Sequence, residues 1–275
     1  MNIIQWQQGR WVSAETIALT QEVLTGRGVF ETILVEDQVP LFLEEHLTRL
    51  LNSCTISGLL FPDLDAIRVG VNKLVASHGL APRARLRVTF FGGDDLVLSV
   101  VDIDAWPPSA SVVLAPWTRN AHSAIAGAKS VSYAENVVAL DWAQSLGFSE
   151  ALFLDASGHL SEASTSNIVL VIDEVAVTPG LTTGCLPGIT RSVLLELGLV
   201  IEAEIDVKDL EQASSAALLS STRGVQPIHS AAVGGSEWIF DVSCDRLQLM
   251  GDSYLARVRF EKESWARLPK ESRPT

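Results

Sequence analysis

The sequence predicts an α+β protein made of two mixed-sheet domains. Strands are predicted as consecutive pairs, and the regular strand–helix–strand alternation of a doubly wound fold is missing. The composition changes at Trp106-Pro-Pro, where prolines interrupt the apolar pattern. This change separates a small N-terminal domain over residues 1–115 from a larger domain over residues 125–275, with residues 116–124 as the connecting segment.

The individual elements follow from apolar spacing and from turn residues. In the N-terminal domain, alternation predicts a hairpin over residues 2–13, strands over residues 29–35, 39–43, 85–91, 96–102 and 112–115, and helices over residues 44–57 and 63–78. In the larger domain, the same signals predict strands over residues 151–154, 159–160, 168–172, 175–178, 200–204 and 217–220, and helices over residues 134–146, 190–199 and 241–260. Gly58 and Gly79 are expected to end the first two helices.

The composition is that of a folded protein with an acidic surface. The 275 residues include 33 acidic and 20 basic side chains, which gives a net charge of −13. This charge argues against nucleic acid or an anionic membrane as a partner, and no stretch reaches the length of an apolar membrane helix. Three widely separated cysteines, without a zinc-binding spacing, and an N-terminus without a basic leader favour a cytoplasmic enzyme.

Lys129 is the first candidate catalytic residue. It is one of only five lysines in the chain and lies among small and apolar residues, in Ala126-Gly-Ala-Lys129-Ser-Val. An ammonium held there would be desolvated, which lowers its pKa and makes the neutral amine accessible for Schiff-base chemistry. The alternative is a surface lysine in a loop.

Three further features complement this amine. Glu162, which small polar residues flank, is suited to face a pyridine nitrogen, although it also fits a solvated turn. The helix that begins near Thr190 offers free N–H groups to a phosphate, although a plain helix cap has the same pattern. The hydroxyl-rich turn Ser220-Ser-Thr222-Arg-Gly224 is a second anion-binding candidate or a polar loop. Together, these features describe a site for pyridoxal 5'-phosphate.

The chain resembles the class IV aminotransferases, the pyridoxal-phosphate family of branched-chain aminotransferase, D-amino-acid aminotransferase and 4-amino-4-deoxychorismate lyase. Matching segments follow one another in order: Gly28-Val-Phe-Glu-Thr32, His46-Leu-Thr-Arg49-Leu, Lys129 with Asn136-Val-Val-Ala-Leu, Glu162-Ala-Ser-Thr-Ser-Asn167, Thr178-Pro, Leu186-Pro-Gly-Ile-Thr-Arg191, and Ser221 through Pro227. The resemblance implies a small α+β N-terminal domain and a larger barrel-like C-terminal domain, assembled as a homodimer that acts on a small amino substrate.

The resemblance also implies a role for each matched residue. Lys129 would carry the cofactor, Glu162 would face its pyridine nitrogen, and Phe30 would line the substrate pocket. The phosphate would be bound by these residues: Arg49, the amides of Ile189 and Thr190, and Ser221 with Thr222. Tyr133 is given no cofactor role, because it follows the lysine by four residues where branched-chain enzymes place a tyrosine five residues on.

Within the family, the sequence is most similar to bacterial aminodeoxychorismate lyases. This similarity rests on Arg119-Asn120 and on the run from Lys129 to Asn136. It implies release of 4-aminobenzoate and pyruvate, with Arg27 and Arg223 available to bind a dianionic substrate. The alternative is an aminotransferase that acts on branched-chain or D-amino acids with 2-oxoglutarate. A cofactor-free binding protein is disfavoured, because the lysine, the glutamate and the phosphate residues are all intact.

Overall fold

The computed structural model describes residues 2–7, 9–14, 16, 19–77, 82–93 and 95–267. Two compact units are present: one comprises Met1–Ala105, Ala128–Ser132 and Arg257–Thr275, and the other Trp106–Gly127 and Tyr133–Ala256. The predicted α+β two-domain fold is therefore confirmed. The division falls earlier than residues 116–124, because the strand Ala110–Arg119 pairs throughout with strands of the second unit.

The first unit contains a six-stranded antiparallel sheet. Three helices lie between its strands along the chain. Its strands are β1 (Asn2–Gln7), β2 (Arg10–Ser13), β3 (Val29–Glu36), β4 (Val39–Pro40), β5 (Arg83–Phe90) and β6 (Leu96–Asp102). Its helices are α1 (Gln21–Thr25), α2 (Leu43–Ser57) and α3 (Leu64–Ser77). The strand order is β2-β1-β6-β5-β3-β4. The predicted stop of α3 at Gly79 lies outside the described residues.

Period-two alternation assigns the two faces of this sheet. Along β5, Leu86 and Val88 are completely buried in the core that α2 and α3 cover, through residues such as Leu50 and Ile67. The intervening Arg87 points to the opposite face, which carries polar side chains. The sheet thus has one apolar face for the core and one face that presents charge.

The second unit is built on a nine-stranded mixed sheet. Its strands are β7 (Ala110–Arg119), β8 (Glu150–Asp155), β9 (Leu160–Ala163), β10 (Asn167–Ile172), β11 (Val175–Pro179), β12 (Ile201–Ala203), β13 (Ser215–Ser220), β14 (Gly224–Val233) and β15 (Ser236–Ile239). The order is β12-β11-β10-β13-β14-β7-β8-β9, with β15 also paired to β14. Its helices are α4 (Ala134–Ser145), α5 (Ile189–Glu196), α6 (Val207–Gln212) and α7 (Asp245–Arg267), the last of which continues into the first unit.

The central strands of this sheet are apolar on both faces, as expected for strands that are covered on both sides. Ile168, Val169, Leu170 and Val171 of β10 are all completely buried. A short connection follows β13, and it contains Ser221 and Thr222, which are two of the residues predicted to bind the cofactor. Among the residues that the structure describes, no helix combines the length and the apolar character needed to span a membrane.

Candidate functional site

Lys129 lies in a short segment that extends the sheet of the first unit. Its carbonyl accepts the backbone N–H of Phe30 at 2.8 Å, and its own N–H donates to Ser53 Oγ at 3.1 Å. The next residue, Ser130, forms an antiparallel bridge with Val29. Residues 128–132 therefore belong to the first unit because they pair with the start of β3, and this pairing fixes the backbone that carries the lysine.

The ring of Phe30 contacts two basic side chains. Lys129 Nζ lies 4.3 Å from the ring centroid, and the guanidinium carbon of Arg87 lies 3.7 Å from it. Such contacts favour a positive charge over the face of an aromatic ring. Phe30 is buried, and Arg87 Nε also donates to Thr89 Oγ1 at 3.2 Å. Sequence reasoning anticipated Phe30 but missed Arg87, which it counted only as part of a strand.

Arg49 takes part in a buried charge cluster in the first unit. Its Nε lies 2.9 Å from Glu31 Oε1, and its NH2 lies 2.6 Å from Glu31 Oε2. His46 Nδ1 lies 2.7 Å from the same carboxylate. Because a carboxylate only accepts, the Nδ1 atom of His46 carries the proton. The expected contact of Arg49 with a phosphate stays a prediction, and the structure adds a second, structural partner.

The ionised state of Glu31 depends on this cluster. Burial alone would raise the pKa of its carboxyl, but the charge and hydrogen bonds of Arg49, together with His46, outweigh burial and lower the pKa to about 2. Burial lowers the pKa of His46, and Glu31 opposes that shift only in part. The cluster therefore consists of an ionised carboxylate, a guanidinium and a neutral imidazole.

We expect this carboxylate to make the stability of the protein sensitive to acid. Because the folded pKa of Glu31 lies below its unfolded value of 4.5, its contribution is complete above pH 4.5 and is lost as the pH falls toward 2. A shift of this size corresponds to about 3 kcal/mol at most. Urea unfolding measured across this pH range should show this loss of stability. The difference in free energy of unfolding between wild type and Glu31→Gln should become smaller at low pH. An equal narrowing for the exposed Glu263→Gln would contradict the assignment.

Glu162 is buried in the second unit, at the end of β9. Its Oε2 accepts the backbone N–H of Leu186 at 2.9 Å, and Arg119 NH2 lies 3.3 Å from its Oε1. Arg119 is held in turn by Glu135, at 2.8 Å, and its guanidinium stacks over the Phe153 ring at 4.3 Å. Sequence reasoning used Arg119 only as evidence for the lyase subgroup. It missed this contact, because Arg119 and Glu162 are 43 positions apart in the sequence.

The loop before α5 is tied to the Glu162 hairpin at two points. Leu186 donates its N–H to Glu162, and its carbonyl accepts Asn167 Nδ2 at 2.9 Å. Gly188, the N-cap of α5, lies so close to Asn167 that a Cβ atom there would stand 1.9 Å from Asn167 Oδ1. A larger residue there would have to displace the Asn167 amide, whose contact with Leu186 holds the start of α5 relative to Glu162.

The two predicted phosphate-binding segments lie close together in the second unit. Ile189 and Thr190 form the first turn of α5, and Thr190 is 1% exposed. Ser221 and Thr222 lie in the tight turn of the β13–β14 hairpin, which closes through the Ser220–Gly224 pair. Helix α5 packs against β13, so both segments lie at one end of the same strand. Their contact with a phosphate stays a prediction.

Arg223 has structural partners rather than an open position. Its NH2 lies 2.7 Å from the completely buried carboxylate of Glu150, and its NH1 donates to Gln226 Oε1 at 2.6 Å. The guanidinium stacks on the Trp106 ring at 3.6 Å, and its side chain is 4% exposed. The structure shows these partners inside the protein, and the expected substrate role of Arg223 stays a prediction.

Arg27 also has a partner within the protein. It is exposed, and its NH2 donates to the carbonyl of Gly58, the residue that ends α2, at 2.6 Å. This contact satisfies a carbonyl at a helix C-terminus, where a positive charge is favourable. The expected substrate role of Arg27 stays a prediction. Tyr133, to which no cofactor role was given, donates to the carbonyl of Ser164 at 3.1 Å.

The chain is similar to known proteins over most of its length. A family model described as amino-transferase class IV matches residues 28–231. The branched-chain-amino-acid aminotransferase of Pseudomonas aeruginosa is 29% identical over 256 residues, which cover 81% of this chain and 83% of that protein. The bifunctional aminodeoxychorismate lyase / D-amino acid transaminase of Mycobacterium tuberculosis is 28% identical over 220 residues, covering 68% of this chain and 74% of that protein.

The fold is similar to that of solved structures over most of the chain. A hypothetical aminotransferase from Mycobacterium tuberculosis, in its alpha-ketoglutarate and PMP bound form, superposes with a TM-score of 0.81 at 22% identity, covering 94% of this chain and 99% of that one. At this level of identity the likeness concerns the fold alone. The range matched by the family model contains Lys129, Glu162 and both predicted phosphate-binding segments.

Proposed function

Because the chain belongs to the class IV aminotransferases, we propose that it is a pyridoxal-phosphate-dependent 4-amino-4-deoxychorismate lyase that supplies 4-aminobenzoate for folate synthesis. The observation that carries the proposal is that Phe30, the predicted substrate-pocket residue, contacts both Arg87 and the expected reacting amine of Lys129. The bifunctional relative in Mycobacterium tuberculosis, whose name includes this lyase activity, supports the choice. We also infer a cytoplasmic homodimer from the family resemblance.

Pyridoxal phosphate is the cofactor of this family, and the residues present fit it. Lys129 supplies the amine, and Glu162 supplies a buried carboxylate. Helix α5 begins at Gly188, which has no side chain to cap the N–H groups of the first turn, and free N–H groups at a helix start bind phosphate. The hydroxyls of Ser221 and Thr222 add further donors.

The residues of this chain then divide the work as follows. The cofactor, when bound, supplies an electron sink for the electrons released at the substrate carbon. Glu162 would face the pyridine nitrogen and keep it protonated. Lys129 would hold the cofactor through its Nζ, and the same Nζ would accept the proton from the ring carbon that bears the substrate amine. The C–O bond to the enolpyruvyl group breaks, the ring becomes aromatic, and the departing group takes up a proton to leave as pyruvate.

Arg87 is the residue we assign to the substrate. The substrate carries two carboxylates, and a guanidinium binds a carboxylate through two parallel hydrogen bonds. Arg87 and Lys129 contact the same ring, so a carboxylate bound by Arg87 would be held at the aromatic residue that also contacts the reacting amine. The net charge of −13 makes such a local positive site necessary, because the protein as a whole repels an anion.

The second candidate function is an aminotransferase that acts on branched-chain or D-amino acids with 2-oxoglutarate. It is favoured by the similarity to the Pseudomonas aeruginosa branched-chain enzyme, at 29% identity over most of both chains. Both reactions need one base and an electron sink, so Lys129 and Glu162 serve either of them. What differs is the fate of the nitrogen, which leaves with the product of the lyase but stays on the cofactor after half a transamination.

The requirement for a keto acid therefore separates the two functions. We expect the purified protein to convert 4-amino-4-deoxychorismate into equal amounts of 4-aminobenzoate and pyruvate over many turnovers, with no keto acid added. Fluorescence of 4-aminobenzoate and a coupled pyruvate assay measure the two products. Rapid conversion of leucine or D-alanine with 2-oxoglutarate, in a preparation that forms no 4-aminobenzoate, would replace the lyase by the aminotransferase.

Replacement of Arg87 should affect substrate binding far more than cofactor binding. Arg87→Met is expected to raise KM for 4-amino-4-deoxychorismate by about 10- to 100-fold, because a charge-assisted contact with a carboxylate is lost. Arg85→Met is the matched control, since Arg85 is on the same strand and is exposed. Steady-state kinetics with saturating cofactor give the KM of each variant for 4-amino-4-deoxychorismate. Equal KM values for the two variants would remove Arg87 from the substrate site.

A further inference from the structure

Tyr254 on α7 contacts both predicted phosphate-binding segments. Thr190 Oγ1 donates to Tyr254 OH across 3.4 Å, within the protein interior. The same tyrosine ring lies against Gly224, where a Cβ atom would stand 3.1 Å from Tyr254 Cε1 and 3.3 Å from Cδ1. Tyr254 is 4% exposed, so both contacts are made in a buried setting.

These two contacts join elements that are distant in sequence. Thr190 belongs to the first turn of α5, and Gly224 ends the turn that contains Ser221 and Thr222. Gly224 has a φ of 68°, a conformation that favours glycine, and the absence of a Cβ atom lets the ring approach the turn. A phosphate bound by both segments requires them to keep a fixed separation, since hydrogen bonds weaken steeply with distance and angle.

We propose that Tyr254 is a positioning residue for the cofactor phosphate. Through this residue, helix α7 contributes to the cofactor site. Its ring fixes the Ser221–Thr222 turn, and its hydroxyl accepts from Thr190 and so orients that side chain at the helix start. The proposal rests on the assignment of the phosphate to these two segments. It does not depend on whether the reaction is a lyase or an aminotransferase reaction.

A change at Tyr254 should therefore act on the phosphate group and spare the rest of the cofactor. Tyr254→Phe keeps the ring against Gly224 but removes the hydroxyl, and we expect it to weaken pyridoxal phosphate binding by about fivefold. Affinity for pyridoxal, which has no phosphate, should be unchanged. A general loss of structure would weaken both ligands alike, so the ratio of the two affinities distinguishes positioning from folding.

Gly224→Ala provides a second route that does not alter the tyrosine. Its Cβ atom would push against the Tyr254 ring, and we expect the same loss that is specific to the phosphate. Gly198→Ala is the matched control, because Gly198 has a similar φ of 66° but no atom within 4 Å of an added Cβ. The backbone strain is thus common to both variants, and the contact with Tyr254 is present in only one.

Tyrosine NMR tests the contact directly, because the chain contains only two tyrosines. Protein labelled at tyrosine 13Cζ should give two signals, which Tyr133→Phe assigns. We expect the Tyr254 signal to differ between holoenzyme and apoprotein, and inorganic phosphate added to the apoprotein should move it toward the position in the holoenzyme.

Two results would overturn the proposal. One is a Tyr254 signal that neither cofactor nor inorganic phosphate moves, in a protein whose visible absorbance proves that pyridoxal phosphate is bound. The other is a Tyr254→Phe variant that loses affinity equally for pyridoxal phosphate and pyridoxal. A protein that binds the cofactor but forms no 4-aminobenzoate contradicts only the proposed reaction, so the two failures are distinguishable.

Discussion

Replacement of Lys129 by alanine is expected to lower turnover by at least about 10⁴-fold, because in the proposed mechanism this side chain provides both the covalent attachment and the base. The fold should persist, since the segment is held by backbone hydrogen bonds to Phe30 and Ser53 that the substitution leaves in place. Steady-state assays of 4-aminobenzoate release measure the decrease in turnover. Cofactor retention after gel filtration should be reduced but present, because the phosphate contacts remain.

The matched control is Lys73→Ala, which removes another lysine of the first unit. Lys73 Nζ donates only weakly to the carbonyl of Trp11, at 3.4 Å, so its loss should leave turnover within about twofold of wild type. Borohydride reduction of the holoenzyme, followed by peptide mapping, should label Lys129 alone. A label on Lys73 or Lys208, or partial activity in Lys129→Ala without added amine, would contradict the assignment.

Elements with strong local signals were predicted close to their observed bounds. The apolar residues at helical spacing from Leu47 onward and the terminating Gly58 predicted α2. In the structure Leu47 is buried on this helix, and Gly58 is its C-cap. Helix α7 extends beyond its predicted end because its last turns carry charged residues without a sharp stop. Strand β14 was missed, since Pro227 and His229 interrupt its alternation, and only pairing with β13 and β7 on both sides makes it a strand.

The candidate site could be predicted only where one residue carries the chemistry. Lys129 stands out by composition, and Glu162 stands out by its small neighbours. Contacts between distant residues have no such signal: Arg87 reaches Phe30 because β3 and β5 are adjacent, and Arg119 reaches Glu162 across the second sheet. An arginine in a polar turn gives no sign in the sequence that it contacts a buried carboxylate, so the contact of Arg223 with Glu150 was not predicted.

The buried partner of Arg223 organises the turn that follows Glu162. Glu150 is completely buried, and its oxygens accept the Ser164 hydroxyl at 3.0 Å, the Thr165 N–H and hydroxyl at 2.6 Å each, and the Ser166 hydroxyl at 2.8 Å. With Arg223 at 2.7 Å, both oxygens of this carboxylate have protein donors. Burial of a charge is costly unless it is paired in this way. The pair therefore links the β13–β14 turn to the Glu162 hairpin.

We expect removal of either charge to destabilise the protein by about 3–5 kcal/mol, because the other charge is then buried without its partner. Glu150→Gln and Arg223→Met each keep the size of the side chain, and Met also keeps an apolar contact with Trp106. The double variant should be more stable than the sum of the two losses predicts, which gives a coupling energy above about 2 kcal/mol in urea unfolding.

Glu44 and Arg68 form the control cycle. They are also 2.7 Å apart, but the carboxylate is 63% exposed, so we expect less than about 1 kcal/mol of coupling. Equal coupling energies in the two cycles would show that Glu150 and Arg223 contribute no more than a surface pair.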